Sequence, residues 1–277
     1  MATQTVLELE QMTPQLGAIV GGLDLRESLD DRTVSDLRQA VLDHGVLYFR
    51  DQDLTREQYL EFMSRFGTPC IDPFAAVDQQ IPPEFTITDM VTRPYAPATA
   101  VWHTDSSLVP APASLMALRA IQVPPVGGDT CWASMYAAYD ALSQPLRDMI
   151  DGLTAVHSAY KTIPLMEGAN YGDLKVEMRN VHPVVRVHPE TGRKALFVNE
   201  LWTEKIEELD HRESNHVLAL LFEHIKNPAF MVRWHWRPHD LAFWDNRCLQ
   251  HYAVNDYSDE RVMQKSLLTG DRPFGPR

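Results

Sequence analysis

The chain has 277 residues, of which 44% are hydrophobic, so it can bury a large core and sits near the upper size limit of a single all-β or α/β domain. Its formal net charge of −13 argues against binding nucleic acid or an anionic membrane surface, because both need clustered lysine and arginine. The charge does not exclude an anionic small-molecule substrate, since a pocket is governed by its own few charged groups.

The three cysteines, Cys70, Cys131 and Cys248, are an odd number without Cys-x-x-Cys spacing. They indicate neither a disulfide framework nor a thiolate zinc site, so we expect reduced thiols and a cytoplasmic location. The N-terminal segment lacks a basic region followed by an apolar stretch, and no run approaches the roughly 18 apolar residues of a membrane span. We therefore expect a soluble chain that does not act at a membrane.

Apolar periodicity predicts strands and helices in alternation at the start of the chain, over residues 16–25, 31–45, 46–51 and 54–67. Thr55 and Gln58 have the spacing of a capping box at the start of the second helix. Tyr59, Phe62 and Met63 follow at helical spacing, and we interpret them as core packing and not as a cofactor site.

From residue 115 the pattern changes to short apolar segments separated by proline and glycine, with helical patterns over residues 133–152 and 213–227. Many short strands without βαβ alternation favour an antiparallel sandwich or barrel with added helices. Residues 155–182 include a polar, glycine-containing stretch of weak periodicity, which predicts a mobile loop over an active site.

The segment AVWHTDSSLVP, residues 100–110, places His103 and Asp105 two positions apart. On an extended strand such side chains point to the same side, so both can bind one metal ion; a surface histidine bonded to an aspartate is the alternative. A predicted strand near residue 251 turns His251 inward, although one inward histidine is more often a core residue. Two histidines and one carboxylate on one face of a metal are typical of non-haem Fe(II) oxygenases, which keep open positions for a 2-oxo acid and O₂.

A 2-oxo dicarboxylic acid needs a cation for its far carboxylate. Arg261 follows His251 by ten residues, and its planar guanidinium suits a carboxylate. Considered without the other residues, it is better interpreted as an ordinary surface arginine. The same His/Asp/His set with zinc would serve a non-oxidative cupin-like binding protein or a hydrolase, and that alternative stays open on these residues.

Four segments, WHTD, GGDTCWASMYAAYDAL, HPVVRVHPETGRKALFVNE and FWDNRCLQHYAVNDY, closely resemble the TauD/TfdA family of taurine/alpha-ketoglutarate dioxygenases. The resemblance implies one dioxygenase domain over residues 1–277 that is mainly β with flanking helices (α+β), built as a double-stranded β-helix, the cupin-like jelly roll. It further implies His103, Asp105 and His251 as the Fe(II) ligands and catalytic centre. By the same resemblance Thr130 and Arg261 hold 2-oxoglutarate, and the protein is a homo-oligomer, either a dimer or a tetramer.

The reaction implied by the resemblance consumes O₂ and 2-oxoglutarate, gives succinate and CO₂, and hydroxylates a C–H bond of a small organic molecule that is anionic or zwitterionic. Where the hydroxylated carbon bears a sulfonate, a sulfate or another leaving group, that group is then released. The related halogenases lack the carboxylate ligand, so the presence of Asp105 disfavours halogenation.

The match departs from the family at the positions that hold a sulfonate. Lys265 stands in place of a second arginine, Asp72 in place of a histidine, and Thr99 in place of an asparagine. Trp202 matches an aromatic pocket position, although core packing explains it equally well. We therefore expect taurine to be a poor substrate. The preferred substrate is then either a bulkier or more apolar anion held by Lys265, or a zwitterion whose amine meets Asp72.

Overall fold

A computed structural model describes residues 7–73, 86–92, 100–159 and 178–276. Within those ranges, no helix combines the length and the apolar character needed to cross a membrane. The strands are short, and they are β1 (Glu8–Gln11), β2 (Ala18–Gly21), β3 (Val46–Phe49), β4 (Pro69–Cys70), β5 (Ile87–Thr92), β6 (Leu115–Gln122), β7 (Thr130–Ser134), β8 (Thr154–Ser158), β9 (Arg179–Pro183), β10 (Val185–Val187), β11 (Lys194–Leu196), β12 (Thr203–Ile206), β13 (Met231–Trp234), β14 (Leu241–Asp245), β15 (Leu249–Ala253) and β16 (Arg261–Leu268).

The α-helices flank these strands and are α1 (Asp31–His44), α2 (Arg56–Ser64), α3 (Met135–Asp140), α4 (Gln144–Ile150) and α5 (His211–Ile225). Helix α1 ends at Gly45, whose φ of 73° lies in the region that glycine adopts without steric cost. The capping box predicted at the start of α2 is confirmed, because the side chains of Thr55 and Gln58 each accept a backbone N–H bond from the other residue.

The largest sheet has eight strands in the order β1-β2-β3-β14-β6-β16-β4, and β5 also pairs with β16. Its two faces are both apolar, as β3 shows: Val46 and Tyr48 point into one hydrophobic core, and Leu47 points into another. That second core also contains Leu37 of α1 and Phe62 of α2. The helices α1 and α2 therefore cover one face of this sheet and leave the other for a second sheet.

The second sheet is three-stranded, in the order β13-β7-β15. Its residues Trp132, Val232 and Leu249 belong to the same core as Val46 of the large sheet, so the two antiparallel sheets pack face to face. This is the jelly-roll sandwich with added helices that the sequence predicts. Strands β15 and β16, which carry the predicted site residues, lie on opposite walls of the sandwich.

The structure divides one predicted helix into two. The helical pattern over residues 133–152 is two helices, α3 and α4, and not one. The break falls where Ser143 occupies the N-cap position and a proline stands in the first turn of α4, because proline has no amide hydrogen to donate within a continuing helix.

The predicted mobile loop over residues 155–182 begins and ends in regular structure. Residues 155–158 belong to β8 and residues 179–182 to β9, and these two strands pair with each other in antiparallel register. Residues 160–177 lie outside the described residues, so for them the loop stays a prediction.

Candidate metal and co-substrate site

Two histidines that lie far apart in the sequence face each other across a short β-bridge. The amide of His103 donates to the carbonyl of His251 at 3.1 Å, and the amide of His251 donates back to the carbonyl of His103 at 2.9 Å. This bridge extends the second sheet beyond β15 and sets the two imidazole rings 4.2 Å apart, centroid to centroid. Reciprocal backbone bonds therefore fix the relative position of both rings.

The carboxylate of Asp105 completes the cluster. Its Oδ1 lies 3.5 Å from Nε2 of His103, and its Oδ2 lies 3.9 Å from Nε2 of His251. One ligand atom from each of the three residues lies within 4.8 Å of the others. Nδ1 of His103 donates to the carbonyl of Val101 at 2.7 Å, which leaves the lone pair of Nε2 directed at the cluster, as metal-binding histidines require.

The loop that carries Asp105 is held by its neighbours. The side-chain amide of Asn246 donates to the carbonyls of Asp105 and Ala113, each at 3.0 Å. Ser106, the next residue along the loop, has a positive φ of 55°, and its hydroxyl accepts the amide of Ala113 at 3.0 Å. A non-glycine residue in this conformation is costly, so the bonds on both sides keep the turn that aims Asp105 at the histidines.

The ionisation states of the cluster suit a cation. Burial, together with the nearby His103, lowers the pKa of His251 to about 3, so its imidazole is neutral and can bind metal. Burial opposes ionisation of Asp105, but the ammonium of Lys265 and the two histidines hold the pKa of that carboxyl well below its ordinary value. Neutral imidazole and ionised carboxylate are the forms in which these groups bind a divalent ion.

Arg261 lies beside the cluster, with only 3% of its surface exposed. Its Nε donates to the carbonyl of Gly128 at 3.1 Å, and one terminal nitrogen donates to the hydroxyl of Thr130 at 3.3 Å. Gly128 has a φ of +70°, and a Cβ there would lie 2.9 Å from Pro124 and 3.4 Å from Cδ of Arg261. Glycine at this position therefore lets the main chain approach the guanidinium closely.

Thr130 is left with one hydrogen to donate. Its oxygen accepts the indole N–H of Trp236 at 2.9 Å as well as the bond from Arg261. A hydroxyl has two acceptor lone pairs and one donor hydrogen, so both lone pairs are used. The O–H of Thr130 and the remaining N–H groups of Arg261 can therefore donate together to a carboxylate.

Arg261 forms no ion pair with any carboxylate in the described part of the chain. Burial lowers its pKa to about 10, which still leaves it positively charged at neutral pH. A buried charge without a partner is costly, and an arginine in this position is ready to bind an anion. This arrangement fits the far carboxylate of 2-oxoglutarate.

The metal cluster and the arginine open into one cavity of about 510 Å³, the open solvent at its mouth included. Besides the polar residues already described, its walls are formed by Met90, Leu118, Trp244 and Ala253, which are mostly apolar. The cavity is therefore a mainly apolar chamber in which a metal site and an anion site face the same space.

Lys265 lies four positions after Arg261 on β16 and lines the same cavity, as the sequence predicts. Its ammonium contacts two carboxylates, Oδ2 of Asp72 at 2.5 Å and Oδ2 of Asp105 at 3.3 Å. Burial would lower the pKa of Lys265, but these two carboxylates raise it above its ordinary value. The cation predicted to hold a substrate anion is therefore already paired in this structure.

The remaining predicted substrate residues have different positions. Asp72 is buried behind Lys265. Trp202 belongs to a small separate core with Leu108 and Leu201 and does not line the cavity formed by the described residues, which favours its packing role. Thr99 lies outside the described residues, so its role stays a prediction.

Sequence reasoning missed two supporting residues, Trp236 and Asn246. Both carry side-chain N–H groups that orient a site residue from a distant part of the chain. Trp236 is buried. Its bond to Thr130 could not be predicted, because it depends on how β13 and β7 pair.

Comparison with known proteins gives a consistent result. A family model described as taurine catabolism dioxygenase TauD, TfdA family, matches residues 8–267. An alpha-ketoglutarate-dependent sulfate ester dioxygenase of Pseudomonas putida is 34% identical over 280 residues, which cover 97% of this chain and 91% of the relative.

Solved structures agree with the family match. A taurine dioxygenase from Burkholderia xenovorans superposes with a TM-score of 0.82 at 35% identity, covering 98% of this chain and 91% of the other. A crystal structure of AAD-2 in complex with Mn(II) and N-oxalylglycine superposes with a TM-score of 0.83 at 30% identity, covering 97% and 99% of the two chains.

Proposed function

Since this chain belongs to the TauD/TfdA family and is an Fe(II)- and 2-oxoglutarate-dependent dioxygenase acting on a small molecule, we propose which of its residues perform each part of the reaction. When bound, iron and 2-oxoglutarate supply the oxidising power that turns a substrate C–H and O₂ into C–OH, with succinate and CO₂ as the other products. The protein supplies the ligands, the orientation of both molecules and a mainly apolar chamber.

His103, Asp105 and His251 hold the iron. The support is their convergence within 4.8 Å and the bond from His103 to Val101 that presents Nε2. Three ligands on one face leave open positions for the co-substrate and O₂. These three residues are therefore the proposed catalytic centre.

Arg261 and Thr130 hold the far carboxylate of 2-oxoglutarate. The observation that carries this assignment is the buried guanidinium, which has no carboxylate partner among the described residues and shares a cavity with the metal cluster. A hydrolase using the same three metal ligands has no need of such an anion site. The arrangement thus supports the oxygenase over the non-oxidative alternative.

The substrate is a small molecule with an acidic group, in keeping with relatives named for a sulfate ester and for taurine. We assign Lys265 as the cation that meets this group, because it is the other positive side chain lining the described cavity. Apolar side chains such as Met90 and Leu118 hold the carbon skeleton near the metal. Hydroxylation next to a sulfate or sulfonate would then release sulfate or sulfite.

The test is turnover by the purified chain. With Fe(II), ascorbate, O₂ and 2-oxoglutarate, we expect slow succinate formation without a substrate and faster formation with the correct one from a panel of sulfonates, sulfates, carboxylates and amines. Total absence of succinate across the panel, from protein that binds iron, would contradict the proposal and favour a non-oxidative metal protein.

We also propose a cytoplasmic location, a homo-oligomeric state and a single dioxygenase domain over the whole chain. The first is supported by three free cysteines, which suit a reducing compartment. The dimer or tetramer follows from the family resemblance. Light scattering on the purified protein tests the oligomeric state.

A further inference from the structure

A series of aromatic side chains leads from the metal cluster into the core. Trp244 lines the cavity, and its ring lies 5.3 Å from the ring of His251, centroid to centroid. Trp132 lies 5.7 Å beyond Trp244. Tyr48 lies 5.5 Å beyond Trp132, and Trp234 stacks on Tyr48 at 4.2 Å. Trp244, Trp132, Tyr48 and Trp234 therefore form a continuous set of ring contacts, the aromatic line.

The far end of the aromatic line lies close to the surface. The guanidinium of Arg50 covers the ring of Trp234 at 3.6 Å from its centroid, and 26% of the Arg50 side chain is exposed. The buried carboxylate of Asp240 pairs with this guanidinium and offsets its charge above the ring. The aromatic line thus joins a side chain at the metal cluster to one that only Arg50 separates from solvent.

Every member of the aromatic line has a buried polar atom without a hydrogen-bond partner among the described residues. These atoms are the indole nitrogens of Trp132, Trp234 and Trp244 and the hydroxyl of Tyr48. Buried polar groups are nearly always paired, and an exception calls for an explanation. Trp236, which lies beside the line, follows the rule, because its N–H donates to Thr130.

Packing alone does not explain this choice of residues. Phenylalanine would fill the same space through apolar and ring contacts, and it has no polar atom to be buried unpaired. Tryptophan and tyrosine differ from phenylalanine in that a strong oxidant can remove one electron from their rings. Because the hydroxyl of Tyr48 has no acceptor for its proton among the described residues, electrons are removed from the tryptophans, and Tyr48 serves as the contact between two of them.

The established activity supplies an oxidant at one end of the aromatic line. When 2-oxoglutarate and O₂ react without a substrate in the chamber, two oxidising equivalents are left unused beside His251 and Trp244. We propose that the aromatic line is a protective electron relay, which returns the metal centre to its ferrous state by carrying electrons from a one-electron reductant at the Arg50 surface. This redox function is additional to the proposed function and rests on the metal site proposed there.

The relay balances with ascorbate as the reductant. Trp244 gives up one electron and regains one through Trp132 and Trp234 from an ascorbate anion, which also releases a proton and becomes the ascorbyl radical. Two such transfers supply two electrons and two protons, and these turn the oxygen atom that no substrate has accepted into water. One 2-oxoglutarate, one O₂ and two ascorbate anions therefore give succinate, CO₂, one water and two ascorbyl radicals.

The first test looks for a tryptophan radical in the wild type. Protein loaded with Fe(II) and 2-oxoglutarate is mixed with O₂ in the absence of a substrate, and freeze-quenched samples are measured by electron paramagnetic resonance. The chain is prepared with ordinary and with ring-deuterated tryptophan. We expect a transient protein radical whose spectrum narrows on tryptophan deuteration and whose lifetime shortens when ascorbate is added.

The second test interrupts the relay. Trp234→Phe removes the member of the aromatic line that is farthest from the metal and adds no polar group. After equal succinate formation without a substrate and with ascorbate, peptide mass spectrometry should find severalfold more covalent oxidation at Trp244 and Trp132 in this variant than in the wild type. Trp202→Phe is the matched control, because Trp202 belongs to a separate core, and it should resemble the wild type.

The relay is refuted, and the aromatic line is core packing only, if wild-type protein that forms succinate without a substrate shows no tryptophan radical. Equal oxidation of Trp244 in the wild type and in Trp234→Phe has the same meaning. If the variant does not fold, the radical measurement on the wild type decides alone. Absence of succinate from iron-loaded protein would instead contradict the proposed function, so the two failures are distinguishable.

Discussion

Replacing Arg261 with methionine should strongly weaken 2-oxoglutarate binding while leaving the fold of the ligand-free protein intact. In the wild type the guanidinium is buried, bonds to Gly128 and Thr130, and has no carboxylate partner among the described residues. Methionine has a similar length and no charge, so the variant keeps the packing but cannot bind the far carboxylate of the co-substrate.

The size of the effect follows from the loss of one buried, charge-assisted pair. Removing one partner of such a pair costs about 2 to 5 kcal/mol, which corresponds to a roughly 30-fold to several thousand-fold rise in the Kd for 2-oxoglutarate. The free energy of unfolding without ligand should change much less, by about 1 to 2 kcal/mol in either direction. Two hydrogen bonds are lost in the variant, but a buried uncompensated charge is lost as well.

Calorimetry with Mn(II) and 2-oxoglutarate, and thermal melts with and without both, measure the two quantities on the same protein. Arg233→Met is the matched control, because Arg233 is a largely exposed arginine of β13, in the other sheet, paired with Asp129. A Kd for Arg261→Met within threefold of the wild type would refute the assignment of Arg261, and so would an equal loss in the Arg233 control.

Three further changes test other parts of the site and fold. Asp105→Ala should lose bound iron and all succinate formation with little change in the melting temperature of the metal-free protein; turnover by a variant that still binds one iron would remove Asp105 from the ligand set. Thr130→Val should raise the calorimetric Kd for 2-oxoglutarate about tenfold, because the donors on Arg261 and Trp236 lose their acceptor and the O–H is lost as a donor to the carboxylate. An unchanged Kd would mean that the hydroxyl does not contact 2-oxoglutarate. Burial lowers the pKa of His182 from 6.5 to about 4, so between those values the unfolded chain binds a proton that the folded chain does not. The free energy of unfolding of the protein should therefore decrease as the pH is lowered from 6.5 to 4, by about 3 kcal/mol at most. Denaturant melts of the wild type and of His182→Gln measure this, and an equally steep fall in the variant would contradict it.

The parts of the site that could be predicted from the sequence depend on local geometry. Two residues apart on an extended chain, or four apart on a strand, side chains share a face. Arg261 and Lys265 follow this rule on β16, whereas Asp105 lies on a turn just after His103, and all four residues line one cavity. The order of motifs along the chain, through the family resemblance, then supplied the partner His251.

The contacts that could not be predicted are those between distant segments. The bond from Trp236 to Thr130 depends on strand pairing, and the pairing of Asp72 with Lys265 depends on how the segment after β4 packs against β16. Neither contact leaves a periodic pattern in the sequence. Sequence reasoning could therefore name Asp72 and Lys265 as unusual residues, but it could not show that they neutralise each other.

Physical chemistry explains why these two residues belong together. Arginine keeps its charge when buried, and its fork can hold an anion through two parallel bonds, whereas a buried lysine is a point charge that is held in its charged form by nearby carboxylates. A lysine alone beside the metal cluster would face only Asp105, whose charge is needed by the iron. Asp72 supplies the second carboxylate, so the ammonium stays charged without withdrawing Asp105 from the metal. The acid at position 72 therefore helps to keep the buried lysine at position 265 positively charged.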